Sequence, residues 1–532
     1  MHKTGGTRRV VRVLGVGALL GSLMLGVGAV ASAEEPPADT TETTEPAATP
    51  TPSGTPTPTE STPTPAASAT PGTGSVAAKG SEPSGSPYGA SYPVTLESNF
   101  SRPYKAISSG ANSDFSLLND LERLIRGSYR DPRTGKLRPS SVRKANSVYM
   151  SISRMENSHR VGRELIRAAK QGVKVRVIHG KASQSKESRS LQRSLNKSSL
   201  RDSQFRICQK GKSLACLSSL NGAIMHSKIL LVQSTFTRDD KPAKGVIWSG
   251  SANLGGPSGE KTYNNGLTVY NDAKLWKESR RMWDDMWAER NVGSDYLTYI
   301  KKHASRYGIT SAQAEDWGYR KADPNYGMFY SNLANVTIYA TPIRATPLNG
   351  KDPVLNLLNR VVPDDQCRIR MQENRFKYRR IAVAQKIAAL VNDGCKASIV
   401  SFEDDLKVNR VAHCQLYIRI CRPILDVFKT ADRKIEAAWA KPHDKTILVE
   451  AKLRRNPLNK EEVAADGSTY STWPSAGVRT KLVQAGSAAL TGSNLVVSDE
   501  ITTETTDAAI YADYIEHWKA IWKSKDLRNF AY

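Results

Sequence analysis

Apolar and polar positions follow a recognisable succession of patterns in the first half of the chain. The alternation over Val148–Ser153 predicts a strand, the spacing over Arg160–Gly172 predicts a helix that ends at its glycine, and Val173–Ile178 predicts a second strand. A strand, a crossover helix and a second strand form the basic unit of an α/β sheet.

The same succession returns more than two hundred residues later in the chain. Cys367–Met371 predicts a strand, Arg379–Gly394 predicts a helix that again ends at glycine, and Cys395–Phe402 predicts the next strand. The polar junction after the first strand also repeats, as MEN and then as QEN. The chain therefore contains an internal duplication of this unit.

A histidine and a lysine two positions apart follow each unit, in front of an aliphatic run typical of a strand. Residues 225–232 read MHSKILLV, and residues 442–450 read PHDKTILVE. A glycine–serine segment comes next in each case, GVIWSGSANL over Gly245–Leu254 and SAALTGSNLV over Ser487–Val496. The duplication therefore extends through both motifs.

Each copy is predicted to close with another strand and a helix. The strands are GLTVY over Gly266–Tyr270 and DAAIY over Asp507–Tyr511. The helices carry tryptophans four residues apart, which places each pair on one helix face: Trp283 with Trp287, and Trp518 with Trp522. We interpret these tryptophans as core residues.

This alternation of strands and helices predicts an α/β protein. Two similar α-β-α sandwich halves, over residues 96–325 and 326–532, would pack about a pseudo-twofold axis. Such packing would bring the two histidine–lysine motifs to one shared cleft. The functional interpretation depends on this cleft.

The N-terminal part of the chain has the pattern of an exported protein. Residues 1–33 combine a basic head, an apolar stretch and a small-residue end at Ala31–Ala33, which is typical of a secretory signal peptide, with a membrane anchor as the alternative. Residues 34–95 are rich in Pro, Thr and Ser and predict a disordered linker. We expect a secreted, extracellular protein, either released or associated with the cell surface.

The charge of the chain favours anionic partners but does not select one. The full chain has a formal net charge of +25, and removal of residues 1–33 takes away four basic residues and no acidic ones, which leaves +21. Phospholipid surfaces, nucleic acid and anionic cell-wall polymer would all be attracted to such a protein.

Six cysteines in an exported chain predict disulfides, although sequence alone leaves their connectivity open. One arrangement joins the pairs that are near in sequence and then the remaining two: Cys208 with Cys216, Cys414 with Cys421, and Cys367 with Cys395. No cysteine or histidine spacing is typical of a zinc site, so we expect no metal.

The paired motifs supply side chains suited to phosphodiester chemistry. On a strand, residues i and i+2 project to the same side, so each histidine projects together with its lysine. Ammonium and carboxamide groups would stabilise charge that develops on phosphorus, while a neutral histidine attacks it and a protonated histidine gives its proton to the leaving oxygen. No cofactor is required. The candidate residues are His226, Lys228, Asn253, His443, Lys445 and Asn494.

These residues resemble the phospholipase D superfamily, whose signature is HxKxxxxD followed by GSxN, once per half. The glycine–serine parts of the two copies are Gly250, Ser251 and Asn253 in the first, and Gly492, Ser493 and Asn494 in the second, which is one residue shorter. The resemblance covers roughly residues 110–525. It implies a phospholipase D fold and a phosphohistidine intermediate, with His226 as nucleophile and His443 as acid.

Several positions depart from that signature. Its aspartate is Gln233 in the first copy and Glu450 in the second. The family often has a carboxylate after GSxN that bonds the far nitrogen of the histidine ring; Glu504 would take this role in the second half, and Asn264 or Asn265 in the first. An amide would steady the ring without stabilising imidazolium as a carboxylate does.

The resemblance implies a secreted phospholipase D that hydrolyses phosphatidylcholine to phosphatidic acid and choline, or exchanges the head group for an alcohol. A secreted nuclease with the same chemistry is the first alternative, favoured by the positive charge. A non-catalytic basic module that binds anionic surfaces is the second. We expect a monomer that acts on a phospholipid membrane surface, with nucleic acid as the alternative substrate, and an entrance shaped by residues 180–220 and 452–480.

Overall fold

A computed structural model describes most of the chain from Tyr88 onwards. The described residues are 88–89, 91–103, 113–156, 159–180, 184–200, 202–208, 224–288, 328–341, 352–402, 422–491, 494–495, 498–524 and 527–529. Within these ranges, no helix is long and apolar enough to cross a membrane. The predicted signal peptide, most of the predicted linker and the predicted boundary at residue 325 lie outside the described residues, so these assignments remain predictions.

The elements alternate along the chain. The strands are β1 (Thr95–Ser101), β2 (Ser147–Ile152), β3 (Lys174–His179), β4 (Gln204–Ile207), β5 (Ile224–Met225), β6 (Ile229–Phe236), β7 (Pro242–Gly250), β8 (Asn264–Tyr270), β9 (Met328–Ser331), β10 (Val336–Ala340), β11 (Val361–Val362), β12 (Arg368–Glu373), β13 (Lys396–Phe402), β14 (Glu436–Ala440), β15 (Lys445–Leu453), β16 (Val478–Gly486), β17 (Ser498–Asp499), β18 (Ile501–Thr505) and β19 (Arg528–Asn529). The α-helices are α1 (Ser116–Gly127), α2 (Ser140–Ala145), α3 (Arg160–Lys170), α4 (Lys186–Leu195), α5 (Gly256–Glu260), α6 (Ala273–Trp287), α7 (Pro353–Arg360), α8 (Ile381–Asn392), α9 (Arg422–Lys429) and α10 (Ala508–Trp522).

The strands form two large sheets with the same order of neighbours. The first sheet runs β1-β8-β7-β6-β2-β3-β4, and the second contains β10-β18-β16-β15-β12-β13-β14, with β9 and β19 added at its two edges. In both sheets the strand–helix–strand unit forms a parallel pair, β2 with β3 and β12 with β13. The next strand forms a second parallel pair, β3 with β4 and β13 with β14. The predicted α/β class and its duplication are therefore confirmed.

Helices pack on both faces of each sheet. The crossover helix α3 buries Val161, Leu165 and Ala168 on one face, in a cluster that also contains α1 and α4. In the second half, α8 buries its apolar face in the corresponding cluster with α7 and α9. The spacing of three or four residues between buried positions is the pattern from which the helices were predicted.

The tryptophan helices occupy the opposite faces. Trp283 and Trp287 stack with ring centroids 5.1 Å apart on α6, and Trp518 and Trp522 stack at 4.8 Å on α10. The first pair lies in one buried cluster with strands of the first sheet, and Trp518 lies in another with strands of both sheets. The predicted role as core residues is confirmed for Trp283, Trp287 and Trp518, whereas Trp522 is partly buried at the edge of its cluster.

One predicted strand is a helix. Asp507 does not begin a strand; its side chain accepts a hydrogen bond from the backbone N–H of Ile510 at 2.9 Å and so caps α10. Asp272 caps α6 in the same way through Leu275. An aspartate that satisfies a free N–H at the first turn favours a helix start, and the closing strand is the β-branched run β18 that precedes it.

The segment that follows β15 lies away from the motif, contrary to the expectation that residues 452–480 shape the entrance. The motif stands at the start of β15, and eight residue steps at about 3.3 Å place its far end about 26 Å away. There Asn456 is fully buried and bonds both Asn356 and the hydroxyl of Tyr339. Of residues 180–220, the part from 209 onwards lies outside the described residues.

A disulfide joins the starts of the two parallel strands in the second half. Cys367 precedes β12 and Cys395 precedes β13, and both are buried. This bridge is one of those expected. Cys208 is also disulfide-bonded, but its expected partner, Cys216, lies outside the described residues. The expected pair Cys414 and Cys421 lies outside them as well.

Removal of this bridge should lower stability without affecting the motif at the other end of β12. We expect the double variant Cys367→Ala, Cys395→Ala to lose about 3 kcal/mol of unfolding free energy, because the bridge closes a loop with a sequence separation of 28 residues. Urea unfolding measures this difference. Ser398→Ala, in the neighbouring strand, is the control and should change stability by less than about 0.5 kcal/mol. Equal stability of the double variant and the wild type would contradict the expectation.

Candidate active site

The two histidine–lysine motifs stand at the beginnings of corresponding strands. His226 and Lys228 lie between β5 and β6, while His443 lies just before β15 and Lys445 begins it. Both histidine side chains are partly exposed and both lysines are buried. Each lysine donates a hydrogen bond from Nζ to the backbone oxygen of its own histidine, which leaves further N–H groups for an anion.

Each motif is attached to the opposite half of the molecule. Strand β5 pairs with β17, and the backbone N–H of His226 donates to the oxygen of Asp499 at 2.9 Å. In the equivalent place, Tyr263 bridges to Pro442, and the N–H of His443 donates to the oxygen of Tyr263 at 2.8 Å. These crossed connections bring both histidines to one cleft, as expected, and the charge of His226 acts on the pKa of His443.

A buried carboxylate orients the first histidine. Nδ1 of His226 lies 2.9 Å from both carboxylate oxygens of Glu500. Ser487 and Asn494 donate to the same carboxylate at 2.5 and 2.6 Å. Burial raises the pKa of Glu500 to about 8, against the opposing effects of the Lys228 ammonium and the Ser487 hydroxyl. Because Nδ1 is engaged, Nε2 is the nitrogen available to a substrate.

An amide orients the second histidine. Nδ1 of His443 lies 3.0 Å from Oδ1 of Asn264, which also accepts from the hydroxyl of Ser251 at 3.2 Å. The nitrogen of this amide donates to the backbone oxygens of Ser258 and Thr262. Those two carbonyls fix which end of the amide faces the ring, so Nδ1 of His443 must carry a hydrogen and Nε2 again faces outward.

Matching hydrogen bonds identify the equivalent loops of the two halves. The N–H of Ser251 donates to the oxygen of Asn265 at 3.0 Å, and the N–H of Ser487 donates to the oxygen of Ile501 at 2.8 Å. The return bonds, from the N–H groups of Asn265 and Ile501 to the two serine hydroxyls, are 3.0 and 2.9 Å long. Ser487 is therefore the structural counterpart of Ser251.

This equivalence corrects the second glycine–serine motif. Asn264 and Glu500 each lie 13 residues after their serine, so the two orienting groups occupy the same position in the duplication. The second copy of GSxN is then GSAA at Gly486–Ala489, with Ala489 in the place of Asn253. The constant spacing after Gly-Ser-Ala was the sequence signal that could have identified Glu500.

Glycine is required before each of these serines. A Cβ on Gly250 would lie 2.4 Å from the backbone oxygen of Asn265, and one on Gly486 would lie 2.0 Å from that of Ile501. Both distances are far inside van der Waals contact, so any other residue would force the strands apart. The close approach is what allows the serine to bond the next strand.

The prediction for Glu504 is wrong. Its carboxylate forms a buried ion pair with Arg360 at 2.5 Å and accepts from Gln484, away from either histidine ring. Asn494 was expected to donate to phosphate, but it donates to Glu500 instead. Oδ1 of Asn253 has no protein partner, and Ser493 lies outside the described residues.

The signature aspartate positions carry ordinary surface contacts. Gln233 accepts a hydrogen bond from Ser147 at 2.8 Å, and Glu450 lies 3.9 Å from Lys481. Neither contact reaches a motif histidine. Within the described residues, no group of three or more His, Cys, Asp or Glu side chains is arranged to hold a metal ion.

The cleft is strongly positive. Burial, followed by the charges of Lys445, Lys228 and His226, lowers the pKa of His443 well below its ordinary value. Burial and the two lysines likewise lower the pKa of His226. Burial lowers the pKa of Lys445 to about 8, although Glu373 and other carboxylates oppose it. A negatively charged group would relieve this mutual repulsion, so the cleft favours an anion.

Two exposed arginines at equivalent positions add to this field. Arg154 follows β2 and Arg375 follows β12, each by two residues, and both lower the pKa of His226. The backbone oxygen of Arg154 accepts from Leu254 in the loop that carries Ser251. The repeated SRM and NRF tripeptides were the sequence signal for this pair.

Comparison with known proteins supports the first half directly. Residues 142–287 match the family described as cardiolipin synthase, PLD-like domain. Among proteins with curated descriptions, none matches this chain.

Several solved structures are similar to this chain at low identity. They include phosphatidylserine synthase of Haemophilus influenzae Rd KW20 (9% identity, TM-score 0.45, 82% of this chain and 89% of that chain), the phospholipase D family member Nuc from Salmonella typhimurium (14%, 0.25, 37% and 95%) and polyphosphate kinase from Porphyromonas gingivalis (10%, 0.42, 80% and 50%). The chain thus spans half the length of that kinase. Identities and TM-scores this low do not bear on the reaction.

The duplicated sheets, the crossed histidine motifs and the family match together define a protein with an α/β phospholipase D fold. More particularly, residues 142–287 of this chain form a phospholipase D-like domain, the kind of domain that acts on phosphodiesters.

The corrected assignment makes Glu500, and not Glu504, the residue on which the site depends. We expect Glu500→Gln to lower kcat by roughly 100-fold or more, because an amide cannot ionise to balance the charge that the His226 ring acquires. Glu504→Gln is the matched control; it leaves Arg360 without its closest partner and should cost about 3–5 kcal/mol of stability. Its kcat, measured on folded protein, should stay near that of the wild type. The reverse pattern would restore the original assignment.

Proposed function

We propose that this protein is a phosphodiester hydrolase that works through a covalent phosphohistidine. The observation that carries this proposal is that two imidazoles in one cationic cleft are each oriented by a residue of the opposite half. Glu500 orients His226, and Asn264 orients His443. Two histidines held by Nδ1 present two Nε2 atoms to a substrate, which is what an attack and a proton transfer on one phosphate require.

The difference between the two orienting groups assigns the roles. The ring that attacks becomes positively charged when its Nε2 is bonded to phosphorus. That charge favours ionisation of the adjacent Glu500, and the resulting carboxylate stabilises the charged His226 ring. The amide of Asn264 gives His443 no such stabilisation, so its protonated form releases a proton more readily. His226 is therefore the nucleophile and His443 the acid.

The reaction proceeds in two displacements. In the first, Nε2 of His226 bonds phosphorus, the bond to the leaving oxygen breaks, and protonated His443 gives that oxygen its proton. In the second, His443 takes a proton from water, the water oxygen bonds phosphorus, and the phosphorus–nitrogen bond breaks to release His226. Lys228 and Lys445 bind the non-bridging oxygens in both steps, with Asn253 as a further amide at the cleft.

The substrate we propose is a glycerophospholipid such as phosphatidylcholine, cleaved to phosphatidic acid and choline, with head-group exchange when an alcohol replaces water. The description of the matching family, which names cardiolipin synthase, supports a lipid phosphodiester. The leader-like N-terminal sequence supports secretion, and the net positive charge supports action of a monomer at an anionic phospholipid surface.

A nuclease is the second candidate. The observation that favours it is the exposed pair Arg154 and Arg375, one at the same position of each half. Guanidinium groups bind phosphates in two-pronged fashion, and nucleic acid offers further phosphates on both sides of the one that is cleaved.

One assay distinguishes the candidates. The purified chain is incubated in a chelating buffer with phosphatidylcholine vesicles and, separately, with single-stranded DNA. Choline release supports the lipase, strand scission supports the nuclease, and binding without cleavage of either supports a non-catalytic module. Acid-quenched samples are searched by mass spectrometry for phosphohistidine.

Both histidines are required in this scheme. His226→Ala should abolish turnover and the covalent intermediate, and His443→Ala should abolish turnover, while both variants fold. His159→Ala, which changes an exposed histidine outside the cleft, is the control and should keep full activity. Full residual activity in either cleft variant would refute the mechanism.

The lowered pKa values of both histidines predict an acidic optimum. The free enzyme needs His443 protonated, and the pKa of this group lies well below 6.5, so kcat/KM should be greatest below pH 6.5 and fall as the pH rises. Asn264→Asp would place a carboxylate at Nδ1 and raise the pKa of His443. We expect this variant to shift the alkaline limb to higher pH. An unchanged limb would count against His443 as the acid.

A further inference from the structure

A buried histidine lies beneath the second motif. His517, on α10, is completely buried, and its Nε2 lies 2.9 Å from Oδ2 of Asp444, the residue between His443 and Lys445. Its Nδ1 lies 3.0 Å from Nε of Arg102. Phe100 stacks on the ring with centroids 4.3 Å apart.

The hydrogen bonds determine the state of His517. A guanidinium Nε–H can only donate, so Nδ1 of His517 must accept from Arg102. The remaining ring proton is then on Nε2, where it is donated to Asp444. His517 is thus a neutral ring with a defined tautomer, and it connects a cation to a buried carboxylate.

The other oxygen of Asp444 is held from the first half. Nδ2 of Asn265 donates to Oδ1 of Asp444 at 2.8 Å and to the hydroxyl of Thr446 at 3.0 Å. Asn265 is the neighbour of Asn264, which orients His443. The same short segment of β8 therefore holds both the catalytic ring and the residue next to it in sequence.

The first half has an apolar arrangement at the equivalent place. Ser227 corresponds to Asp444, because each lies between the histidine and the lysine of its motif. Ile501 corresponds to Asn265, because each follows the residue that orients a histidine. Met282 corresponds to His517, because each is the tenth residue after the aspartate that caps its helix. Met282 and Ile501 belong to one buried apolar cluster. Among the described residues, Ser227 bonds uncharged groups, the hydroxyl of Ser151 and the sulfur of Met225.

The comparison separates folding from function. A buried charged network is seldom more stable than well-packed apolar residues of the same volume. The first half of this chain folds with the apolar version, so the fold does not need the polar one. A network confined to the second half has a role connected with what differs there, the proton-donating motif.

We propose that Arg102, His517 and Asp444 form a positioning network that fixes His443 and Lys445 for proton transfer, an inference that rests on the proposed function. Asp444 also supplies negative charge next to Lys445, since its carboxylate opposes the loss of that lysine's proton. His443 itself has only an uncharged amide at Nδ1, so the second motif receives its negative charge from Asp444 one residue away.

The experiment compares two substitutions of one ring. His517→Met introduces the residue of the first half and removes the donor to Asp444, and we expect kcat to fall about 100-fold through misplacement of the motif, with KM within about threefold. His517→Gln keeps one donor and one acceptor and should restore kcat to within about threefold of the wild type. His159→Met, at an exposed position, is the control for the substitution itself.

A double variant, Asp444→Ser with His517→Met, introduces two of the three counterpart residues of the first half. It should melt no lower than His517→Met alone yet turn over as slowly. Full activity of a folded His517→Met or of the double variant overturns the proposal. So does failure of His517→Met to fold, because the network would then be structural, and so does a His517→Gln variant that is folded but as slow as His517→Met.

A second measurement does not depend on turnover. In ¹⁵N-histidine-labelled wild-type protein, His517, assigned by its loss in His517→Gln, should give the spectrum of a neutral ring protonated at Nε2. A charged ring or the Nδ1–H tautomer overturns the network. If the wild type shows the expected Nε2–H tautomer but cleaves neither phospholipid nor DNA, the proposed function is refuted while the network is retained.

Discussion

The site depends on one constraint: each imidazole is oriented by the half of the molecule that does not contain it. Glu500 holds His226, and Asn264 holds His443, in both cases beside a short backbone pairing that crosses between the halves. A buried hydrogen bond between Ser249 and Thr503 joins the two sheets nearby. Any rotation of one half against the other would break the bonds to both rings at once. The orientation of both rings therefore depends on the contact between the two halves.

The second consequence of this arrangement is electrostatic. Two lysines and two imidazoles are collected where water is largely excluded, and burial lowers the pKa of each of these groups. Carboxylates such as Glu500 and Glu373 oppose that tendency for the two lysines. A phosphodiester brings negative charge into the cleft, so its binding reduces the electrostatic repulsion among the buried lysines and imidazoles. This physical reason for anion binding holds whichever phosphodiester is the substrate.

Local signals were sufficient for the framework and for half of the site. The pattern of apolar and polar residues over β2, α3 and β3 and over their counterparts identified the duplication, and the histidine–lysine spacing located the two motifs. Glu500 was missed because GSN at 492–494 looks more like the family signature than GSAA at Gly486–Ala489 does. The true register is set by hydrogen bonds between Ser487 and Ile501, which exist only after β16 and β18 have paired. Similarly, no periodicity connects His517 to Asp444, 73 residues earlier.

The crossed partners also determine the order in which the site is assembled during synthesis of the chain. A growing chain that has completed its first sheet has already made His226, but the carboxylate behind that ring arrives only when residues near 500 have been synthesised. Until then His226 lacks its partner from across the interface, and the site with two oriented histidines is incomplete. Both rings are oriented only after the two sheets have closed on each other, which is a late event in the synthesis of the chain.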